Sequence, residues 1–139
     1  MREIKFRGKS KENGKWYYGY YCKEHNNACF AEERIEKHYI RFQDNMDWNL
    51  TRQMLEEVDE DSVGQFIGLK DKNGVDIYEG DIVKSYYSKP GFIGWNGTVG
   101  AFQIKGIPSQ STKWCHTLEV IGNIYDNKEL LGSDVSEQK

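Results

Sequence analysis

The N-terminal segment alternates apolar and charged residues, which is the period of a half-buried strand. Apolar Ile4 and Phe6 alternate with three charged neighbours, and side chains spaced this way point to opposite faces of a sheet. We therefore predict a first strand over residues 2–8. The polar segment 9–14 predicts a turn, and the aromatic run 16–21 predicts a second strand. Together they predict an N-terminal hairpin.

The middle of the chain predicts one further strand and a short helix. Alternation resumes over residues 38–42, which we predict to be a strand. Three apolar residues then recur at a spacing of four, as on the apolar face of a helix: Leu50, Met54 and Val58. Asp47 or Asn49 would cap this helix, because short polar side chains accept hydrogen bonds from the first helical N–H groups.

Tight turns separate short apolar runs in the C-terminal half. Residues 71–74 and the pair Asn96-Gly97 are typical hairpin turns, since glycine adopts positive φ without a steric penalty. A helical turn is predicted over residues 126–131. The predicted strands are 65–67, 82–84, 92–95, 98–104 and 118–125. Five short strands joined by tight turns are typical of a small closed barrel.

Length and composition indicate one compact unit with an aromatic core. The chain has 139 residues, with six Phe, nine Tyr and four Trp, and each buried ring removes roughly 150 to 250 Å² from water. No stretch approaches the roughly 18 consecutive apolar residues of a membrane span. Three cysteines at loose spacing do not resemble the disulfide framework of a secreted domain. We expect reduced thiols, a cytoplasmic location and no membrane partner.

Charge is unevenly distributed along the chain. The net charge of −3 argues against a basic footprint over the whole molecule. Residues 1–21 nevertheless carry six cations and two acids, whereas residues 56–61 hold five acids in six positions. Solubilising surface explains both runs, because lysines commonly protect strand edges.

Three segments of the sequence resemble the YopX family, which is encoded mostly by bacteriophages and prophages. They are the opening REIKFRG, the central GQFIGLKDKNGVDIYEGDIVK and the closing LEVIGNIYDNKELL. The resemblance implies a mainly β fold whose C-terminal half is a small SH3-like barrel, and a phage or prophage setting. It implies no biochemical activity.

We accordingly expect one YopX-like domain over residues 1–131. A part rich in β-hairpins, about residues 1–61, would precede a barrel part, about 62–126, with one or two short helices in the chain. Residues 132–139 form a polar tail.

The central segment has a structural explanation that is independent of the family. Residues 71–74 turn the chain, and Gly80 allows a bend at which Asp81 accepts backbone N–H bonds. The alternative is a loop for a hard cation, whose oxygen ligands would be Asp71, Asn73, Asp76, Glu79 and Asp81. The spacing does not match an EF-hand, and we favour the turn.

Common catalytic signatures are missing from the sequence. A zinc site or a Cys-His nucleophile pair could be assembled from Cys22, His25, Cys29, His38, Cys115 and His116, but the spacing is poor for both. No phosphate-binding loop, nucleophile elbow, zincin helix or dinucleotide fingerprint is present. We assign no catalytic, cofactor-binding or metal-binding residue and expect a protein that is not an enzyme.

The aromatic hairpin is the strongest candidate for a binding surface, because its rings alternate between two faces and cannot all be core. The predicted binding residues are Lys5, Arg7, Lys15, Trp16 and Tyr18. We favour a binding or accessory module that contacts an unidentified phage or host protein, and a second copy of the chain could also cover the rings. One alternative is a single-stranded nucleic acid, with bases stacked on the rings. A second alternative is a metal-dependent enzyme.

Overall fold

The fold is mainly β, as predicted. The computed structural model describes residues 3–25, 36–46, 50–85, 89–106 and 117–131. Strands account for 61% of these residues and helical turns for 8%. The strands are β1 (Phe6–Lys9), β2 (Trp16–His25), β3 (Glu36–Met46), β4 (Leu50–Glu57), β5 (Gly64–Lys70), β6 (Asp76–Tyr78), β7 (Asp81–Lys84), β8 (Gly91–Asn96), β9 (Ala101–Lys105) and β10 (Glu119–Asn123).

The chain divides into two compact units, Glu3–Gln65 and Phe66–Lys139. In the first unit the strand order is β4-β3-β2-β1-β5, and every pair is antiparallel. The predicted N-terminal hairpin is confirmed, with Lys9 opposite Trp16 next to the turn. The start of β5 pairs with β1, and its remainder pairs with β6 in the second unit.

The helix predicted around Leu50, Met54 and Val58 is wrong. Residues Leu50–Glu57 form β4, which pairs with β3 along its whole length. The error has a geometric cause: a spacing of four is also a multiple of two, so the same three positions share one face of a strand. Val58 is completely buried at the end of this face. The proposed caps, Asp47 and Asn49, lie outside the described residues.

The second unit contains a four-stranded antiparallel sheet in the order β10-β7-β8-β9. Its core is aliphatic and consists of Ile67, Ile77, Val83, Ile93, Ile104 and Leu118, with Phe102 and Val120 packed against it. Aromatic rings are also buried in this unit, where Phe66 and Tyr78 pack with ring centroids 5.7 Å apart. In the first unit Tyr17 contacts Phe42 and Phe6 contacts Tyr21.

The five strands predicted for the C-terminal half correspond to β5, β7, β8, β9 and β10. The described strands form two antiparallel sheets and no closed barrel, so the SH3-like barrel is not confirmed. The predicted terminal turn is a 3₁₀ helix, Lys128–Leu131. A second 3₁₀ helix, Glu60–Ser62, lies within the acidic run.

Both predicted hairpin turns are present, although one differs in detail. At residues 71–74 the N–H of Gly74 donates to the Asp71 carbonyl at 3.0 Å. The hairpin after Asn96 has a longer loop than a two-residue turn, with the N–H of Gly100 donating to the Asn96 carbonyl. Gly100, at φ +66°, adopts the left-handed conformation that was expected of Gly97.

Within the described part of the chain, no helix has the length and apolar character needed to cross a membrane.

Candidate binding surface

The aromatic strand β2 presents two different faces. Tyr17 and Tyr21 point to one side, where their ring centroids lie 5.1 Å from Phe42 and 5.8 Å from Phe6. Tyr18 and Tyr20 point to the other side and are 51% and 68% exposed. The alternation of β2 therefore places two large rings in solvent on a strand that has neighbours on both sides.

Strand register identifies the neighbours of these rings, because directly paired residues point to the same face. Arg7 on β1 is paired with Tyr18, and Arg41 on β3 is paired with Tyr20. Arg41 is in turn paired with Leu55 on β4, which is 46% exposed. We call this surface the outer face; its members are Arg7, Lys9, Trp16, Tyr18, Tyr20, Arg41 and Leu55.

The structure brings three of the five predicted binding residues together on the outer face. The Arg7 guanidinium lies 4.8 Å from the centroid of the Trp16 ring, and Tyr18 is the cross-strand partner of Arg7. Arg7 is only 6% exposed. Its charge is therefore held against an aromatic ring at the edge of the surface.

The other two predicted residues lie outside the strands. Lys5 precedes β1, and its ammonium is 3.7 Å from a carboxylate oxygen of Glu3. Lys15 precedes β2 and is exposed, and its backbone N–H donates to Asn13 Oδ1 at 2.8 Å. Neither belongs to the ladder that builds the outer face.

Comparison with known proteins shows to which family the chain belongs. The model of the family described as YopX protein matches residues 5–132. The chain belongs to the YopX family. No sequence among curated proteins matches it.

A solved structure shares the fold of this YopX-family chain. It is the crystal structure of protein EF1440 from Enterococcus faecalis, which is 22% identical in sequence. The match covers 94% of this chain and 99% of that one, with a TM-score of 0.53. At this identity the likeness concerns the fold.

Sequence reasoning missed four members of the outer face. Lys9 is the cross-strand partner of Trp16, and that pairing follows from the register of the hairpin. Tyr20 continues the alternation of Trp16 and Tyr18 and could have been included on that signal alone. Arg41 joins only through the pairing of β3 with β2, which a single sequence does not specify. Leu55 joins through its pairing with Arg41, which the incorrect helix did not allow for.

A polar cluster lies on the opposite face of the same sheet. The Tyr21 hydroxyl is 2.5 Å from Nδ1 of His38, and Nε2 of His38 is 3.6 Å from a carboxylate oxygen of Glu60. His38 is 6% exposed. Burial raises the pKa of Tyr21 above its ordinary value, Lys23 opposes this effect and Glu60 adds to it. The Tyr21 hydroxyl therefore stays protonated at neutral pH and links β2 to β3.

The acidic residues of the central segment bind the backbone. Asp71 Oδ1 accepts the N–H groups of Asn73 and Val75, at 2.8 and 2.9 Å, and its Oδ2 accepts that of Val120 at 3.0 Å. Asp81 Oδ2 accepts the N–H of Tyr78 at 2.8 Å. The proposed turn and corner are thus present, and both carboxylates hold backbone in place.

The cysteine and histidine residues considered for zinc do not converge in the part of the chain that is described. No group of three or more His, Cys, Asp or Glu side chains there is arranged to hold a metal ion. Cys22 is a half-buried free thiol, and His25 Nδ1 lies 3.4 Å from Glu36. Cys29, Cys115 and His116 fall outside the described residues.

Proposed function

We propose that this YopX-family chain is a non-enzymatic binding module that contacts a protein partner through its outer face. The observation that carries the proposal is the exposure of Tyr18 and Tyr20, 51% and 68%, on an internal strand of the sheet. Large aromatic rings and arginines are enriched where proteins bind each other, and monomers rarely leave extended apolar patches uncovered.

The surroundings of the two tyrosines favour a protein over a nucleic acid. Exposed Leu55 extends the apolar surface across β3 and β4. Of the cations that a polyanion would need, Arg7 is buried against Trp16 and Lys5 lies beside Glu3. Arg41 stands next to Tyr20, so a partner surface that places carboxylates beside apolar side chains fits best.

In this proposal the chain is a phage or prophage protein that acts in the bacterial cytoplasm. Membership of the YopX family supports this setting through the family's occurrence in phage genomes. The partner would be a phage or host protein, with a second copy of the chain as the homo-oligomeric case. The metal-dependent enzyme stays an alternative, and elemental analysis of the purified protein tests it.

The double variant Tyr18→Ala/Tyr20→Ala tests the outer face. Proteins retained by the immobilised chain from phage-infected cells are identified, purified and titrated against wild type and variant. We expect the dissociation constant to rise by about 30-fold or more, which corresponds to the roughly 2 kcal/mol of an interface hot spot. The matched control, Leu69→Ala/Val75→Ala, removes two exposed apolar side chains elsewhere and should leave it unchanged.

Equal affinity of wild type and Tyr18→Ala/Tyr20→Ala for every identified partner would rule the outer face out. Sedimentation of the chain alone tests the homo-oligomeric case, because a dimer formed through this face should dissociate when Leu55 is replaced by Lys. The nucleic-acid alternative would be favoured over a protein partner if the chain bound single-stranded oligonucleotides and this binding required Lys5, Arg7, Lys15, Trp16 and Tyr18.

A further inference from the structure

Strand β4 is the longest of the described strands that lie at the end of a sheet. It has eight residues, whereas β6, β9 and β10, the other strands in such positions, have three, five and five. In the described part of the chain, β3 is the one strand that pairs with β4. A strand with a neighbour on one side presents backbone N–H and C=O groups on the other, where a further strand can bind.

Two backbone hydrogen bonds show which residues of β4 direct these groups away from β3. The N–H of Val58 donates to the carbonyl of His38 on β3 at 2.8 Å. The carbonyl of Glu57 points the other way and accepts the N–H of Lys11 at 3.1 Å. Backbone groups alternate in direction along an antiparallel strand. The residues of β4 that share the outward direction of Glu57 are Thr51, Gln53 and Leu55.

The segment around Ser10 closes this edge of β4 at its C-terminal end. Ser10 forms a β-bridge with Val58, and the N–H of Asp59 donates to the carbonyl of Lys9 at 2.9 Å. Among the described residues, none pairs with residues 51–55 on the side away from β3. The open edge therefore consists of three outward residues that are centred on Gln53.

We propose that a second copy of the chain binds this open edge, with the two β4 strands antiparallel around a two-fold axis at Gln53. In this register Gln53 pairs with Gln53 of the second copy, and Leu55 pairs with Thr51. All outward N–H and C=O groups of the three residues are then hydrogen-bonded in both copies. A shift in register would either leave Leu55 without a partner or require the Glu57 carbonyl, which already binds Lys11. Because both copies use the same edge, the assembly closes as a dimer.

The side chains of this edge are compatible with the pairing. Gln53 is exposed, and its amide has both donors and acceptors, so the two Gln53 side chains can bind each other at the axis. Leu55, which is 46% exposed, would be partly covered by the second copy. Glu56 would lie opposite Leu50 of the second copy rather than opposite another acid. Lysine and proline commonly protect edge strands against pairing, and β4 contains neither.

Disulfide formation tests the register, in a chain whose three native cysteines are replaced by serine. Gln53→Cys places the two thiols at directly paired positions, with Cα atoms about 5.5 Å apart, which a disulfide can span. Leu55→Cys is the matched control, because its two copies would lie about 14 Å apart along the strands. On mild oxidation we expect a crosslinked dimer from Gln53→Cys and none from Leu55→Cys. Equal crosslinking of the two variants, or of neither, would overturn the proposal.

Sedimentation of the full chain at concentrations up to about 100 μM measures the dissociation constant of the dimer. Gln53→Pro removes an N–H that points away from β3, so the variant should fold, and the dimer loses two hydrogen bonds at its axis. We expect the dissociation constant to rise by about 5- to 150-fold. Gln53→Lys brings like charges together at the axis and should also weaken the dimer, most strongly at low salt. Gln43→Lys, the same change on the β3 partner of Gln53, should not.

Thermal melting verifies that each variant is folded, and a chain that sediments as a single copy at every concentration would overturn the proposal. Tyr18→Ala/Tyr20→Ala should leave this dimer intact, because β2 lies two strands away from the open edge. If that variant dissociated the dimer and Gln53→Pro did not, the copies would meet on the outer face and the edge pairing would be wrong. A single-copy chain whose partner from infected cells is lost in Gln53→Pro would show that the edge takes a strand of that partner instead.

Discussion

Individual residues in the second unit fix its turns by two different physical means. Gly80, at φ +91°, occupies backbone conformations that other residues rarely adopt, and it lies between β6 and β7. Its N–H donates to the carbonyl of Ile93, and its carbonyl accepts the N–H of Ile124. Asp71 instead uses charge, since one carboxylate binds three backbone N–H groups. Gly80 fixes its turn because it has no side chain, whereas Asp71 fixes its turn through a buried carboxylate.

Gly80→Val should lower the free energy of unfolding by about 1 to 3 kcal/mol. The positive φ is strained for a β-branched residue, and a Cβ would lie 3.0 Å from the Tyr125 ring. Gly74→Val has a similar φ of +81° with nothing within 4 Å, so the difference between the variants isolates the Tyr125 contact. Urea denaturation measures both. Equal stability of Gly80→Val and wild type would contradict the role of Gly80 in the bend between β6 and β7.

Asp71→Asn should destabilise the protein in a pH-dependent way. Burial alone raises the pKa of Asp71, but the N–H donors of Val120, Val75 and Asn73 outweigh it and hold the pKa below its ordinary value. With the folded pKa lowered, the carboxylate stabilises the fold above the unfolded pKa of about 3.9, and this contribution disappears as the pH falls through the folded pKa.

The difference in free energy of unfolding between wild type and Asp71→Asn should be about 1.5 to 3 kcal/mol at pH 7 and should shrink below about pH 4. Urea denaturation from pH 7 to pH 2 follows it, and Asp61→Asn, at an exposed carboxylate, controls for the loss of one charge. A difference that is constant over this range would contradict the ionic role.

At the scale of elements, the strands with strict alternation or a glycine-containing turn were predictable from the sequence. β1, β2 and the β8–β9 hairpin were placed correctly to within a few residues, because local chemistry sets their period and turns. β4 was not placed correctly, because its apolar spacing fits a helix and a strand equally well. Only the pairing with β3 shows that this segment is a strand. The same pairing brings Arg41 and Leu55 beside Tyr20, so the outer face was only half predictable.

Gly19→Ala should loosen the pairing of β2 with β3. A Cβ at Gly19 would collide with the carbonyl oxygen of Arg41, which is backbone and cannot rotate away. We expect a loss of more than about 1 kcal/mol in the free energy of unfolding and reduced hydrogen-exchange protection in β3 and β4. Gly97→Ala, whose Cβ would have no neighbour closer than 3.9 Å, is the control. Unchanged protection in β3 would show that the strands tolerate the collision.

At the scale of the whole molecule, the two units carry different kinds of surface. The first exposes tyrosines beside Arg41 and Leu55, and the second exposes lysines and Trp95 on a stretch without acids, residues 82–118. The acid-free stretch was visible in the sequence, but which of its side chains meet depends on hairpin register. Net charge averages over both surfaces and therefore conceals the second one.

The purified protein should contain three reduced thiols. Cys22 is a free cysteine, and an odd number of cysteines at loose spacing is typical of a reducing compartment. Thiol titration in denaturant should therefore count three per chain, and the same sample should contain no stoichiometric zinc. A count of one would reveal a disulfide and contradict the proposed cytoplasmic setting.

The contact between Asp71 and Val120 spans 49 residues of sequence, and it has a consequence for how the protein is made. A nascent chain that has emerged only as far as β9 already contains Asp71, Ile77 and Val83 but lacks Leu118, a core residue, and β10, the strand that pairs with β7. Until Leu118 and β10 leave the ribosome, β7 is an open edge and the core is exposed on one side. The second unit is therefore completed only after β10 has emerged, whereas the ladder from β1 to the start of β5 is closed as soon as Gln65 has emerged.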